Sequence, residues 1–193
     1  MADNVTKETV GVRKGGRKMQ QRKKLYHILK WSSYVLLIII AYVLQTTTSL
    51  FVIFGVKPLL LAPLAVCIAM FEGEFAGAIF GAVAGLFCDL GSGQLFGSNG
   101  LVLMLCCFAA GLLVHVLMRP TLLTCMILSG GTLLLRGMFD FFFNLALWDY
   151  DGISRVLLTN IFPVILYSLV VTPLFYLLIK KLSARFEELL TLE

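Results

Sequence analysis

Six apolar stretches, each nearly free of charge, constrain this chain more than any other feature. They run from about residue 31 to 54, 56 to 71, 75 to 90, 101 to 118, 122 to 147 and 153 to 179. A hydrocarbon core about 30 Å thick takes roughly 20 helical residues to cross. Lipid offers no partner to exposed N–H and C=O groups, so stretches of this kind are expected as helices. With 59% of 193 residues hydrophobic and a mean hydropathy of +0.92, the chain reads as an all-α integral membrane protein, a six-transmembrane-helix bundle. The second and third stretches are the shortest, and Pro58 and Pro63 interrupt the second. A re-entrant or tilted half-span there, giving five crossings, is the open alternative.

A net charge of +5 points towards nucleic acid until it is located on the chain. Nine of the 16 Lys and Arg residues lie in the first thirty positions, ahead of any apolar stretch. Arg13, Lys14, Arg17, Lys18, Arg22, Lys23 and Lys24 read as a topogenic cluster that holds the amino terminus in the cytoplasm. The same cluster is a candidate contact for anionic lipid or an acidic partner, at about 1 kcal/mol per basic residue near the surface. Lys180, Lys181 and Arg185 ask for a cytoplasmic carboxyl end too, and two inner ends require an even number of crossings. No small-residue cleavage pattern follows the first stretch, which is expected to remain as an anchor.

Three segments follow. Residues 1–24 form a basic, mobile cytoplasmic tail, residues 25–179 the six-helix membrane domain, and residues 180–193 a second cytoplasmic tail. In that last segment Leu182, Phe186, Leu189 and Leu190 share one helical face. This suits an amphipathic helix at the membrane surface, or a plain continuation of the last span. Trp31, Tyr34, Trp148 and Tyr150 suit aromatic belts at the two interfaces.

Two stripes at four-residue spacing are the candidate working surfaces. Gly73, Gly77, Gly81 and Gly85 run through the third stretch towards Asp89. A row of missing side chains lets another helix approach to backbone contact, from the same chain or from a partner. Thr132, Arg136, Asp140 and Asn144 form a polar row in the fifth stretch. A charge near the centre of a spanning helix costs roughly 2.5 to 3.5 kcal/mol on insertion scales, so this row is expected to face protein or water. Phe139, Phe141, Phe142 and Phe143 then cover the lipid side. Asp89 and Arg136 lie equally far from the inner ends of their stretches, which predicts an Asp89 to Arg136 bridge between helices three and five and, with it, the glycine row packed against helix five. The row also admits a ligand or partner role.

Nothing in the chain has catalytic or metal-ligand spacing. Cys67, Cys88, Cys106, Cys107 and Cys125 all sit in apolar stretches and read as small core residues. His27 and His115 have no companion at useful spacing. No nucleophile elbow, phosphate loop or paired-carboxylate arrangement occurs. The reading is therefore not an enzyme, with no cofactor and no metal.

The stretch GAVAGLFCDLGSGQLFGSNGLVLML resembles the G-x-x-x-G-L-x-x-D…G-x-x-x-L signature of the rod shape-determining protein MreD family, through Gly81, Gly85, Asp89 and Gly97. Chain length, the number of apolar stretches and the proline-containing second one agree. The resemblance implies a non-enzymatic component of the bacterial elongation machinery in the cell membrane, with both termini cytoplasmic. Its implied partners are an MreC-like protein, a RodA-like glycosyltransferase, a class B penicillin-binding transpeptidase and MreB filaments, around lateral peptidoglycan synthesis and cell shape. It also implies the membrane fold of the substrate-capture subunits of energy-coupling-factor vitamin transporters. A subunit of that kind is the alternative function, and an ion or proton pathway through Asp89, Arg136 and Asp140 is a third.

Overall fold

The computed structural model describes residue 26 and residues 28–47, 59–92, 97–146 and 162–191. Six helices fill them: α1 Ile28–Thr47, α2 Leu61–Glu72, α3 Glu74–Ser92, α4 Ser98–Val116, α5 Leu122–Ala146 and α6 Phe162–Thr191. Four of these, α1, α4, α5 and α6, are long and apolar enough to cross a membrane. The remaining two, α2 and α3, correspond to the two shortest apolar stretches.

Contacts at the helix ends set the directions. Lys30, early in α1, meets Glu72 at the end of α2, while Gln45, late in α1, meets the start of α2. Helix α3 turns back at Gly73 and α4 returns beside it, bringing Gly111 to Glu74. Tyr176, midway along the last helix, bonds to Pro120 just before α5. Successive helices therefore alternate in direction, and the start of α1 and the end of α6 share one end of the bundle, called here the Glu72 end. The other is the Asp89 end.

Helix α2 is the axis of the molecule. All ten residues from Leu61 to Met70 are buried, and α3, α4, α5 and α6 pack around them. A helix apolar on every side belongs in a core. At 12 residues it is about 18 Å long, well short of the hydrocarbon thickness.

A helix that starts inside the bundle must find partners for its first N–H groups. Here neighbours supply them, in place of a local N-cap residue. Gln45 Oε1 of α1 accepts from Leu60 N at 3.0 Å and Leu61 N at 3.4 Å, and Ser168 Oγ of α6 accepts from Leu59 N, in the chain leading into the helix, at 2.9 Å. Pro63 sits in the first turn, where its missing N–H is one orphan fewer. It helps open α2; the expectation that it interrupts the span is corrected accordingly.

The last helix is a single element of 30 residues that runs through Pro173 to Thr191. Residues 180–191 lie in the same unbroken helix as the span that precedes them. Ser183 is still buried and Leu182 packs on the core, while Lys181 and Arg185 are exposed. The basic segment from Arg13 to Lys24, His27, Pro58, Trp148 and Tyr150 lie outside the described residues.

Candidate functional site

The glycine row packs within the chain, against α4. A Cβ built at Gly77 would stand 2.5 Å from Ala69 Cβ of α2 and 3.1 Å from Cys107 O of α4. At Gly81 it would stand 2.8 Å from Leu103 O and Cys107 Cβ, and at Gly85 2.5 Å from Asn99 O and Gly100 Cα. As the α3 position advances by four, the α4 partner falls back by about four, from 107 through 103 to 99. This is an antiparallel pair at backbone contact, the use that period-four glycines allow in lipid. Helix α4 reciprocates with Gly111, whose Cβ would meet Glu74 Cα at 2.7 Å.

Two expectations need correction here. The row faces α4, not the polar face of α5, because the short connection after α3 keeps α4 alongside. Gly73 is not part of the packed row: it has φ +89 and no atom within 4 Å of a built Cβ. It is the turn between α2 and α3, in a left-handed conformation that suits glycine.

Asp89 continues the row by one more step and reaches the start of α4. Its Oδ2 accepts from Gly97 N at 2.9 Å and Gly100 N at 3.3 Å, and Oδ1 from Asn99 N at 3.2 Å. A carboxylate there neutralises orphan N–H groups and complements the positive end of the helix dipole. Gly97 supplies the left-handed residue, φ +98, that leads into α4. Gly81, Gly85, Asp89 and Gly97 thus form one device that clamps α3 to α4.

Arg136 meets this device through an intermediary. Its Nε donates to Asn99 Oδ1 at 2.7 Å, and the Asn99 N–H is the one held by Asp89. The charges expected to bridge α3 and α5 are joined by a residue of α4 that lies between them in the network. Arg136 Nη2 also stands 3.9 Å from Asp140 Oδ2, a long contact in the less favourable basic-before-acidic order. Thr132 and Arg136 are buried on one face of α5 and Asp140 is half-buried beside them. Phe139 and Phe142 are exposed on the other side; the side chains of Phe141, Phe143 and Asn144 lie outside the described residues. Arg136 Nη1 and Asn99 Nδ2 are buried without a hydrogen-bond partner.

The Glu72 end holds a second polar group with little sequence signature. Glu72 Oε1 takes Lys30 Nζ at 2.6 Å and the Tyr34 hydroxyl at 2.7 Å. Tyr34 is fully buried, so it belongs to this cluster and not to an interfacial belt. Its ring packs edge-on to Phe80, and Trp31 lies tilted on the same ring. Beside Glu72, a cavity of about 590 Å³ opens between the α2–α3 turn, the end of α4 and Pro120. The signal for this cluster is Lys30 and Tyr34 one helical turn apart, facing an acid that ends an apolar stretch. All five cysteines are free, and Cys67 Sγ of α2 touches Cys125 Sγ of α5 at 3.1 Å. Among the described residues, no three His, Cys, Asp or Glu side chains gather in a way that could hold a metal ion.

These features define a class: a helical membrane protein whose buried polar groups are engaged in holding one helix to another. The chain belongs to the rod shape-determining protein MreD family, whose family model matches residues 26–186. That membership gives it a role in rod shape determination. No curated protein and no solved structure matches the chain, and the expected likeness to the fold of vitamin-capture subunits is not supported.

Proposed function

We propose that this chain is a non-enzymatic scaffold of the bacterial elongation complex, holding an MreC-like protein, a RodA-like glycosyltransferase and a class B penicillin-binding transpeptidase together, with MreB filaments beneath them. It acts by being packed against, and so directs lateral peptidoglycan synthesis. The observation that carries this reading is the match to the family over residues 26–186. It is supported by the use of the intramembrane charges: Asp89 holds a helix start and Arg136 holds Asn99, arrangements that fix helices and move no substrate.

In this reading the Glu72 end faces the cytoplasm. The start of α1 and the end of α6 meet there, with Lys180 and Lys181 close by, as a positive inner face requires. Cysteine placed at Arg119 should react with an impermeant maleimide only in inside-out vesicles, and cysteine at Ser98 only in right-side-out ones; the reverse pattern refutes the orientation.

The function is tested by affinity purification of the tagged full chain from its native membrane, with mass spectrometry of proteins and small molecules. MreC-like, RodA-like and transpeptidase proteins are the expected partners. Recovery of an ATPase pair with a vitamin would overturn the scaffold in favour of a transporter subunit.

A further inference from the structure

The cavity at the Glu72–Gly73–Glu74 turn opens between α2, α3, the end of α4 and Pro120. Its lining joins the apolar Met70, Phe71, Phe75 and Val114 to the two acids Glu72 and Glu74 and to His115. Gly73 leaves the space open, since nothing lies within 4 Å of where its Cβ would be. Glu72 already holds an ammonium group, that of Lys30. Glu74 has no ion-pair partner among the described residues. Apolar walls beside a carboxylate suit a Lys or Arg side chain, whose stem lies along apolar surface while its head meets the charge.

The chain itself carries the nearest supply. Lys24 precedes Lys30 by six residues, a reach of at most about 20 Å, and Lys30 pairs with Glu72 of the cavity lining. Residues 13–24 hold Arg13, Lys14, Arg17, Lys18, Arg22, Lys23 and Lys24. Tethering so close raises their effective concentration to the order of millimolar, which a free basic partner would have to exceed. We propose that this cavity is the docking site of the chain's own basic segment, residues 13–24, with one of its Lys or Arg side chains paired to Glu74. The contact is internal to the chain and independent of the partners proposed above.

Carbodiimide coupling of the purified full-length protein tests it. The reagent activates a carboxylate, a lysine amine in contact displaces it to form an amide, and the reagent leaves as the urea. The Glu72 to Lys30 link is the internal control. The expected product joins Glu74 to Lys14, Lys18, Lys23 or Lys24, in detergent and in vesicles of phosphatidylcholine or phosphatidylglycerol alike. A control link without any Glu74 link overturns the proposal, as does coupling of Glu74 to another polypeptide. A tenfold loss of the Glu74 link in phosphatidylglycerol alone also overturns it, because anionic lipid would then hold the segment. As a second measurement, Glu74→Gln should speed tryptic cleavage within residues 13–24 several-fold. Unchanged cleavage in a variant that still binds its helices as the wild type does, judged by its thermal unfolding, counts against docking.

Discussion

The two ends of the bundle treat their acids differently. At the Asp89 end the carboxylate is 3% exposed and accepts from the backbone N–H groups of Gly97, Asn99 and Gly100, while the glycine row leaves no room for anything between α3 and α4. At the Glu72 end the carboxylates meet side chains, Lys30 and Tyr34, beside an open cavity. An acid bound to backbone fixes a helix and has little freedom to exchange partners. An acid bound to a lysine beside a cavity can trade one cation for another. The first end is built for permanence, the second for contact.

Breaking the closed end should have the largest effect. Gly85→Leu drives a side chain into Asn99 and Gly100 backbone that cannot yield, beyond the usual overpacking range of about 1–3 kcal/mol, and should abolish a cooperative unfolding transition in detergent. Asp89→Ala leaves the first N–H groups of α4 without their acceptor and should cost about 3 kcal/mol, with Asp89→Asn recovering part of it, as read by thermal unfolding. At the open end Lys30→Met removes one partner of a largely buried pair while Tyr34 still donates to Glu72, and should cost about 2 kcal/mol. Glu74→Gln should lie within about 0.5 kcal/mol of wild type. A Lys30→Met loss as large as that of Asp89→Ala would erase the contrast between the ends.

Much of the closed end is legible in the chain, because a row of glycines at period four in an apolar stretch has few uses besides close packing. Its partner is not legible. What the row meets is the backbone of α4 at Asn99, Leu103 and Cys107, and backbone atoms carry no residue signature. The same limit explains Asp89: matched depth brings it near Arg136, yet the N–H groups it accepts from belong to no particular side chain. Gly73 shows that periodicity alone cannot separate a packing glycine from a turning one. Around α2, Gln45 and Ser168 at its start and Tyr34 at its end each read as an ordinary polar residue in a span, and only the direction of α2 gives them a common purpose.

That purpose bears on the order in which the chain is made. The first N–H groups of α2 are satisfied by α1, which precedes it, and the chain leading into it is held at Leu59 by Ser168 of α6, 109 residues later. During synthesis, the central helix is therefore complete on one side long before the other. A chain released before Phe162 should hold its α3–α4 clamp yet expose the opening of α2, and be cleared by membrane proteases faster than the full-length protein in a pulse-chase experiment. The last helix to emerge acts as the lock on the helix at the centre.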